Sequence, residues 1–233
     1  MQFKLDRLGK SAADFFFPQF CIGCGCEGEI LCACCLSKLE RVSPPFCPRC
    51  GLPQTDSGAC RDCSGFDICI DGIRSPLLFR KLTREIVHQF KYKNLRALAA
   101  PLAGLLNVYI TQNRLPADVL IPVPLHSTRL RERGYNQALL LANELAKLMG
   151  IPVCPDILKR LANTPPQART SSALERHRNM RGAFSTGYGK LNDKKVLLID
   201  DVSTSGATLD ACAASLKQAG AATVWGLTVA REI

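Results

Sequence analysis

The chain has 233 residues, 47% of them hydrophobic, which is enough for one well-packed domain with a small appendage. Its formal net charge is +10 and its pI about 9.1, which favours contact with phosphates, nucleic acid or another anionic surface. The alternative is that the basic side chains are simply solvated. Uncharged apolar runs never reach the length of about 18 residues that a bilayer requires, which argues against a membrane-spanning helix.

Residues 1–20 predict a short amphipathic helix, because apolar side chains recur between charged ones. The apolar positions are Phe3, Leu5, Leu8 and Phe15 to Phe17. The segment lacks the pattern of an export signal. We therefore expect a cytoplasmic protein, with association of this helix with the inner membrane surface as the alternative.

Cysteine usage divides the rest of the chain into two predicted domains. Eleven of the 13 cysteines precede residue 70. Residues 21–69 are rich in glycine and proline and lack apolar periodicity, so this segment cannot bury much of a core and needs disulfides or metal to fold. We expect a Cys-rich module over residues 21–69 and a larger domain over residues 70–233.

Four CxxC pairs in the Cys-rich module predict structural zinc, because such pairs place two thiolates on one tight knuckle. The predicted ligands are Cys21, Cys24, Cys32, Cys35, Cys47, Cys50, Cys60 and Cys63, which suffice for one or two ions in a double zinc ribbon. Cys34 remains an alternative ligand within CACC, and Cys26 stays unassigned. A redox-active site is the competing interpretation, although it needs a single CxxC at a strand-helix junction.

Residues 70–233 alternate between apolar runs and amphipathic helices, which predicts an α/β fold with a parallel sheet. The predicted strands are VLIPVPL (119–125), VLLID (196–200) and TVWGLTVA (223–230). A helix over 136–149 has a predicted buried face of Ala138, Leu141, Ala142, Leu145, Leu148 and Met149. A further helix runs through Leu216, and Gly220 is placed to end it.

Residues 80–96 combine basic and aromatic side chains, which favours binding to single-stranded DNA. The predicted contacts are Lys91, Lys93 and Arg96, which would neutralise phosphates while aromatic rings stack on bases. The alternative is an amphipathic helix whose stripe of Leu82, Ile86 and Phe90 is part of the core.

The stretch VLLIDDVSTSGATL (196–209) predicts a ligand site at the carboxyl end of a buried strand. Asp200 and Asp201 are acceptors suited to the vicinal hydroxyls of a ribose or to Mg²⁺. The small residues after them offer backbone amides, hydroxyls and a helix N-terminus to a phosphate. These predicted phosphate ligands are Ser203, Thr204, Ser205, Gly206, Ala207 and Thr208.

This stretch resembles the phosphoribosyl pyrophosphate (PRPP) signature of type I phosphoribosyltransferases. The resemblance implies that fold, a PRPP or ribose 5-phosphate nucleotide ligand accompanied by Mg²⁺, and a pyrophosphate site in the basic turn that holds Arg129 and Arg133. It also implies a flap, for which residues 165–172 are suited. Thr204 stands where purine-salvage relatives carry an aspartate base, so catalytic residues stay unknown.

Residues 121–142 and 164–184, together with the CxxC pairs, are similar to the ComF family, which includes GntX-type DNA-utilisation proteins. The resemblance covers residues 21 to about 231 and implies a role in uptake or nutritional use of extracellular DNA. It also implies a partner in uptake machinery at the inner membrane. The alternative function is an active phosphoribosyltransferase in nucleotide metabolism with an unidentified acceptor, and the oligomeric state is open.

Overall fold

The structure is a computed structural model that describes residues 18–60, 63, 68–162, 179–180, 182–187 and 191–233. Residues 1–17 of the predicted N-terminal helix and the whole predicted flap therefore lie outside the described residues, and residues 18–20 are not helical. The chain divides into two compact units, Met1–Leu39 and Glu40–Ile233. The predicted boundary between residues 69 and 70 stays a prediction.

The described part of the first unit, residues 18–39, is folded around two tight turns. Phe20 forms an antiparallel bridge with Glu27, and the amide of Cys21 donates to the carbonyl of Cys26 at 2.9 Å. A short helix, α1 (Ala33–Ser37), follows and begins at Cys32, whose sulfur accepts from the amide of Cys35. With so short a helix and so few buried apolar residues, this segment needs the additional support that its thiols supply.

The second unit contains a parallel sheet, which confirms the predicted α/β class. Its strands in the described residues are β1 (Gly72–Arg74), β2 (Leu77–Leu78), β3 (Val119–Pro122), β6 (Lys195–Ser203) and β7 (Thr223–Arg231). The order is β1-β7-β6-β3, with β2 also paired to β7, and every pairing is parallel. A separate antiparallel pair joins β4 (Leu158–Arg160) to β5 (Phe184–Thr186).

Strand β6 is longer than the sequence predicted, and this extension shapes the site. Its pairing with β3 ends at Pro122 opposite Ile199, whereas its pairing with β7 continues to Ser203 opposite Arg231. Asp200 and Asp201 therefore lie within β6 but beyond the last residue of β3. Backbone pairing on one side thus holds the two acids in place while the other side of the strand is left open for a ligand.

Helices cover both faces of the sheet, as a parallel sheet requires. The main helices of the second unit are α2 (Lys81–Tyr92), α3 (Ala99–Asn113), α4 (Ser127–Arg133), α5 (Gln137–Met149) and α6 (Ala207–Gln218). Val196 and Leu198 of β6 share a core cluster with Leu216 of α6. The alternate residues Leu197 and Ile199 are also fully buried, so the opposite face is covered as well.

Helix α5 matches its predicted bounds because both of its ends are capped. The side chain of Asn136 accepts from the amide of Ala138, and Gly150 ends the helix in the left-handed conformation. Four of the six predicted apolar positions are fully buried, whereas Leu148 is 53% exposed and Met149 is half-buried. The buried stripe is therefore narrower at the end of the helix than the sequence predicted.

Residues 80–96 mainly form α2, and the core stripe expected of an amphipathic helix is present. Ile86 and Phe90 are buried, while Leu82 is half-buried. Among the described residues, none of the helices combines the length and the apolar character needed to cross a membrane. The C-terminal end of α2 carries the basic side chain of Lys91, which lies beside Asp201 of β6.

We expect Gly72→Ala to lower the free energy of unfolding by about 1–3 kcal/mol, because a Cβ at this position of β1 overpacks the sheet. That atom would lie 2.4 Å from the ring of Trp225. Urea unfolding measures the change. Gly104→Ala in α3 is the control, since its Cβ would meet nothing within 4 Å and should raise stability by roughly 0.5–1 kcal/mol. Equal stability changes in the two variants would contradict the packing described for β1.

Candidate ligand and metal sites

The four predicted thiols of the first unit lie together in what we call the first cysteine cluster (Cys21, Cys24, Cys32 and Cys35). Their sulfur atoms all lie within 4.8 Å of one another. The sulfurs of Cys21 and Cys32 are 3.6 Å apart, and those of Cys24 and Cys32 are 3.7 Å apart. A tetrahedral zinc ion with bonds of about 2.3 Å places its sulfurs roughly 3.8 Å apart, whereas a disulfide needs about 2.05 Å. The spacing fits zinc.

The second cysteine cluster (Cys47, Cys50, Cys60 and Cys63) has the same geometry in the second unit. All four sulfurs lie within 4.8 Å of one another, and those of Cys50 and Cys60 are 3.6 Å apart. The amide of Cys60 donates to the sulfur of Cys47 at 3.4 Å, as expected for a sulfur that becomes a thiolate ligand. Both clusters therefore pair the CxxC motifs in sequential order.

The two cysteines that the sequence left open lie outside both clusters. Cys26 and Cys34 are exposed, and among the described residues neither belongs to a set that could hold a metal ion. Cys35 is buried and supplies the fourth sulfur of the first cluster, because α1 turns it toward Cys21. The choice between Cys34 and Cys35 thus depends on the helical turn that follows Cys32.

An ion pair ties one of the two predicted ribose ligands to α2. Lys91 Nζ lies 2.8 Å from Asp201 Oδ1, and the two side chains are 22% and 8% exposed. Burial lowers the pKa of Lys91, but the charges of Asp201 and Asp200 outweigh it, so the pKa lies above its ordinary value. Lys91 was predicted to contact nucleic acid. The structure places its ammonium group beside Asp201, and a contact with nucleic acid stays a prediction.

Asp200 has a different environment from its neighbour, because successive residues of a strand face opposite sides of the sheet. Burial raises the pKa of Asp200 to about 7, and the charge of Asp201 adds to the effect. The amide of Asp201 donates to Asp200 Oδ1 at 2.8 Å. Asp200 is therefore a half-buried carboxyl group that exchanges its proton near neutral pH, and a cation or hydroxyl donor that reaches it would favour the ionised form.

The predicted phosphate ligands form a turn from β6 into α6, which we call the phosphate loop (residues 203–208). Gly206 has a φ of +81° and precedes the first residue of α6, and the hydroxyl of Ser205 accepts from the amide of Ala207 at 3.4 Å. The first amides of a helix have no carbonyl partner within that helix. The loop therefore presents amides and hydroxyls together at the positive end of a 12-residue helix.

A buried arginine that the sequence analysis missed supports this loop from below. Arg231, the last residue of β7, is 3% exposed, and its Nη1 donates to Ser203 Oγ at 3.2 Å and to the carbonyl of Thr204. The pKa of Cys50 is lowered to about 5, first by a hydrogen bond from Cys63 and also by the charge of Arg231. The one signal for this residue in the sequence was its position directly after a predicted apolar strand.

The two arginines predicted to bind pyrophosphate lie on α4 but have different neighbours. The side chain of His126 caps α4 by accepting from the amide of Thr128 at 3.3 Å. Arg133 stacks on the ring of Tyr92 at 5.1 Å. The charge of Arg129 acts on Arg160 of β4. Burial lowers the pKa of Arg160, and this like charge lowers it further.

Arg160 is a second residue that the sequence analysis missed. Its guanidinium lies 5.5 Å from the centre of the Phe184 ring, and the charge of Asp200 acts on it. Arg160 Nε also donates to the carbonyl of Ala162 at 3.2 Å, so this guanidinium is held in place by β4 and the residues that follow it.

Basic and aromatic side chains gather beside the ligand site in what we call the basic-aromatic patch (Tyr92, Lys93, Arg96 and Arg133). Lys93 and Arg96 are exposed, and Tyr92 is 63% exposed. The guanidinium of Arg96 lies 4.7 Å from the centre of the Tyr135 ring. The structure thus brings two predicted nucleic-acid contacts together with an arginine that was predicted to bind pyrophosphate.

Stability should depend on pH through Asp200, and Asp200→Asn should remove this dependence. The folded pKa lies above the unfolded one, so the folded state holds an extra proton between about pH 4 and 7 and the parent loses stability as pH rises through that range. Asparagine does not titrate. The unfolding free energy of Asp200→Asn minus that of the parent should therefore increase by roughly 1–3 kcal/mol between about pH 6 and about pH 8.5.

Urea unfolding at the two pH values provides the measurement. Asp156→Asn is the control, because Asp156 is exposed and its replacement should leave the pH dependence unchanged. The same pH dependence in the parent and in Asp200→Asn would contradict the buried environment described for Asp200.

Comparison with protein families agrees with both parts of the chain. A double zinc ribbon domain matches residues 12–64, which supports structural zinc at the two cysteine clusters. A phosphoribosyl transferase domain matches residues 136–231, which include the two acids and the phosphate loop. The predicted fold class is therefore confirmed for both modules.

Curated relatives match nearly the whole chain. Competence protein F of Haemophilus influenzae is 33% identical over 91% of this chain and 97% of its own length. Competence protein ComFC of Bacillus subtilis is 31% identical, covering 88% of this chain and 85% of its own length. The DNA utilization protein YhgH of Escherichia coli O157:H7 is 30% identical, with 83% and 87% covered.

Among solved structures, the chain is similar to glutamine phosphoribosylpyrophosphate amidotransferase from B. subtilis, complexed with ADP and GMP. It is 20% identical, with a TM-score of 0.41 over 60% of this chain and 30% of the other. The identities to the curated relatives, over most of each chain, decide the family. The chain belongs to the ComF family of competence and DNA-utilisation proteins and carries a double zinc ribbon and a phosphoribosyl transferase domain.

Proposed function

We propose that this protein acts in the uptake or use of extracellular DNA and binds PRPP or a ribose 5-phosphate nucleotide at the end of β6. The observation that carries the proposal is the continuity of the site. Two carboxyl groups stand on the strand, and the phosphate loop follows directly at the N-terminus of α6. The acceptors for the ribose hydroxyls and the donors for the 5-phosphate are therefore only a few residues apart in the chain. This suits a ligand in which a ribose and a phosphate are joined.

Each part of the ligand has a matching chemical group. The 5-phosphate would lie on the amides and hydroxyls of the phosphate loop, and the ribose hydroxyls would donate to Asp200 and Asp201. The pyrophosphate would lie toward Arg129. Asp200 offers a hard oxygen ligand of the kind that Mg²⁺ prefers, so the metal would enter with the pyrophosphate and favour the ionised carboxylate.

The ion pair with Lys91 gives the largely buried side chain of Asp201 an opposite charge at 2.8 Å. A bound ribose or metal would share this carboxylate with the lysine or displace it. Removing the Asp201 carboxylate would leave the Lys91 ammonium group buried without its partner, which typically costs about 3–5 kcal/mol. Asp200 is therefore the better position to test ligand binding without unfolding the domain.

We propose binding of the ribose-phosphate ligand as the function of the site and phosphoribosyl transfer as the alternative. Thr204 is exposed in the phosphate loop, at the place where purine-salvage relatives carry an aspartate base. Asp200 could accept a proton near neutral pH, which keeps transfer to an unidentified acceptor as the alternative function. Release of pyrophosphate from PRPP in the presence of candidate bases would distinguish transfer from binding alone.

We expect calorimetry to detect binding of PRPP with Mg²⁺, and we expect Asp200→Asn and Thr208→Val each to weaken it. Loss of a hydrogen bond to a charged group typically lowers affinity roughly tenfold to a hundredfold. Asp156→Asn and Thr111→Val are matched controls, because both positions are exposed and lie outside the site. A parent protein without affinity at millimolar ligand, or variants that bind as tightly as the parent, would overturn the proposed site.

The basic-aromatic patch is the proposed surface for single-stranded DNA. The arginine stacked on Tyr92 leaves its charge available to a phosphate, and the exposed ring of Tyr92 can stack on a base. The patch borders the ligand site because Tyr92 follows Lys91 directly. A strand bound there would pass beside the acids and the phosphate loop.

Lys93→Gln combined with Arg96→Gln should weaken single-stranded DNA binding and lower the salt slope by about 1.4, since each phosphate contact contributes about 0.7. Filter binding at several salt concentrations measures the slope. Lys159→Gln combined with Lys194→Gln is the control, because both lysines are exposed and the net charge changes equally. If both pairs change the slope alike, total charge and not the patch determines binding.

A further inference from the structure

The second cysteine cluster lies against the strand that supports the phosphate loop. The CPRC knuckle carries Arg49, whose carbonyl accepts from the amide of Ile73 in β1 at 2.6 Å. Gly51 follows the knuckle with a φ of +69°, and a Cβ built on it would lie 2.6 Å from the carbonyl oxygen of Ile73. The backbone of the knuckle therefore contacts Ile73 through a hydrogen bond and through a close approach that requires glycine.

The side chain of Ile73 contacts the phosphate loop on its other side. Ile73 is 2% exposed, and its Cδ1 would lie 2.7 Å from a Cβ built on Gly206. Gly206 is the turn residue that aims the first amides of α6. The knuckle of the second cysteine cluster thus contacts the backbone of Ile73, and the phosphate loop contacts its side chain. A shift of the knuckle would therefore displace Ile73 and, through it, the phosphate loop.

Arg231 holds the start of the same loop from the neighbouring strand β7. It donates to Ser203 Oγ and to the carbonyl of Thr204. Strand β7 also pairs with β1, where Ile73 lies opposite Gly226. The strand that carries Ile73 is therefore hydrogen-bonded to the strand whose last residue supports the loop.

We propose that metal in the second cysteine cluster holds the phosphate loop in its ligand-binding shape, with Ile73 as the positioning residue. A knuckle of this length has too small a core to fold without its metal. Loss of the metal or oxidation of its thiols removes the support that Ile73 receives from the knuckle and lowers the affinity of the loop for phosphate ligands. This proposal rests on the proposed ribose-phosphate site. The first cysteine cluster belongs to the other compact unit and serves as the comparison in the test.

The matched variants Cys60→Ser and Cys32→Ser test this proposal, because each removes one half-buried thiol from one cysteine cluster. Zinc analysis should show loss of one ion in each. Hydrogen exchange by mass spectrometry should show faster exchange of residues 203–208 only in Cys60→Ser. Calorimetry with PRPP and Mg²⁺ should show weaker binding, by roughly tenfold or more, in the same variant alone.

A milder pair of variants covers the case in which Cys60→Ser unfolds. Ile73→Val removes the Cδ1 that faces Gly206 and keeps the backbone contact with the knuckle. It should retain both zinc ions and still exchange several-fold faster at residues 206–208. Ile121→Val makes the same change in the core of β3 and should leave this exchange unaltered.

The hydrogen-exchange results separate this proposal from the proposed function. Unchanged exchange of the phosphate loop in both Cys60→Ser and Ile73→Val would overturn the link to the metal. Equal acceleration in Cys32→Ser or Ile121→Val would overturn it as well, because the effect would then be general. If the parent protein does not bind PRPP, the proposed ligand is wrong. The hydrogen-exchange results still decide whether the metal supports the loop.

Discussion

The ion pair between Lys91 and Asp201 is the interaction on which the arrangement of the candidate site depends. A charge that is largely withdrawn from water needs an opposite charge nearby, and α2 supplies one to the Asp201 side chain, which is 8% exposed, at 2.8 Å. The pairing places the C-terminal end of α2 beside the carboxyl end of β6. The basic-aromatic patch on α2 and the two acids therefore share one region of the second unit.

Three successive residues of α2 connect this region, each to a different part of the second unit. The carbonyl of Phe90 accepts from the hydroxyl of Tyr135, Lys91 pairs with Asp201, and Tyr92 lies under the guanidinium of Arg133. A ligand that changes the state of Asp201 would act on the helix that presents Tyr92. The proposed nucleotide and DNA surfaces are therefore physically adjacent, through side chains of neighbouring residues.

The two cysteine clusters have the same local chemistry and different surroundings. The first stabilises a short segment whose only helix in the described residues has five residues. The second lies against β1, where Arg74 donates to the carbonyl of Pro48 and its guanidinium lies about equally far from Phe46, at 5.1 Å, and from Trp225, at 5.0 Å. A zinc module is commonly described as a separate appendage. Here the second knuckle belongs to the compact unit that also contains the sheet.

The sequence by itself determined the features that depend on local spacing. The CxxC pairs identified both cysteine clusters, the apolar runs identified three parallel strands, and VLLIDDVSTSGATL identified the acids and the phosphate loop. Only the tertiary structure decided that Lys91 meets Asp201 and that Arg231 and Ile73 lie beneath the loop. Such contacts join residues far apart in the chain, and their geometry follows from sheet order and helix packing, which no local pattern of side chains records.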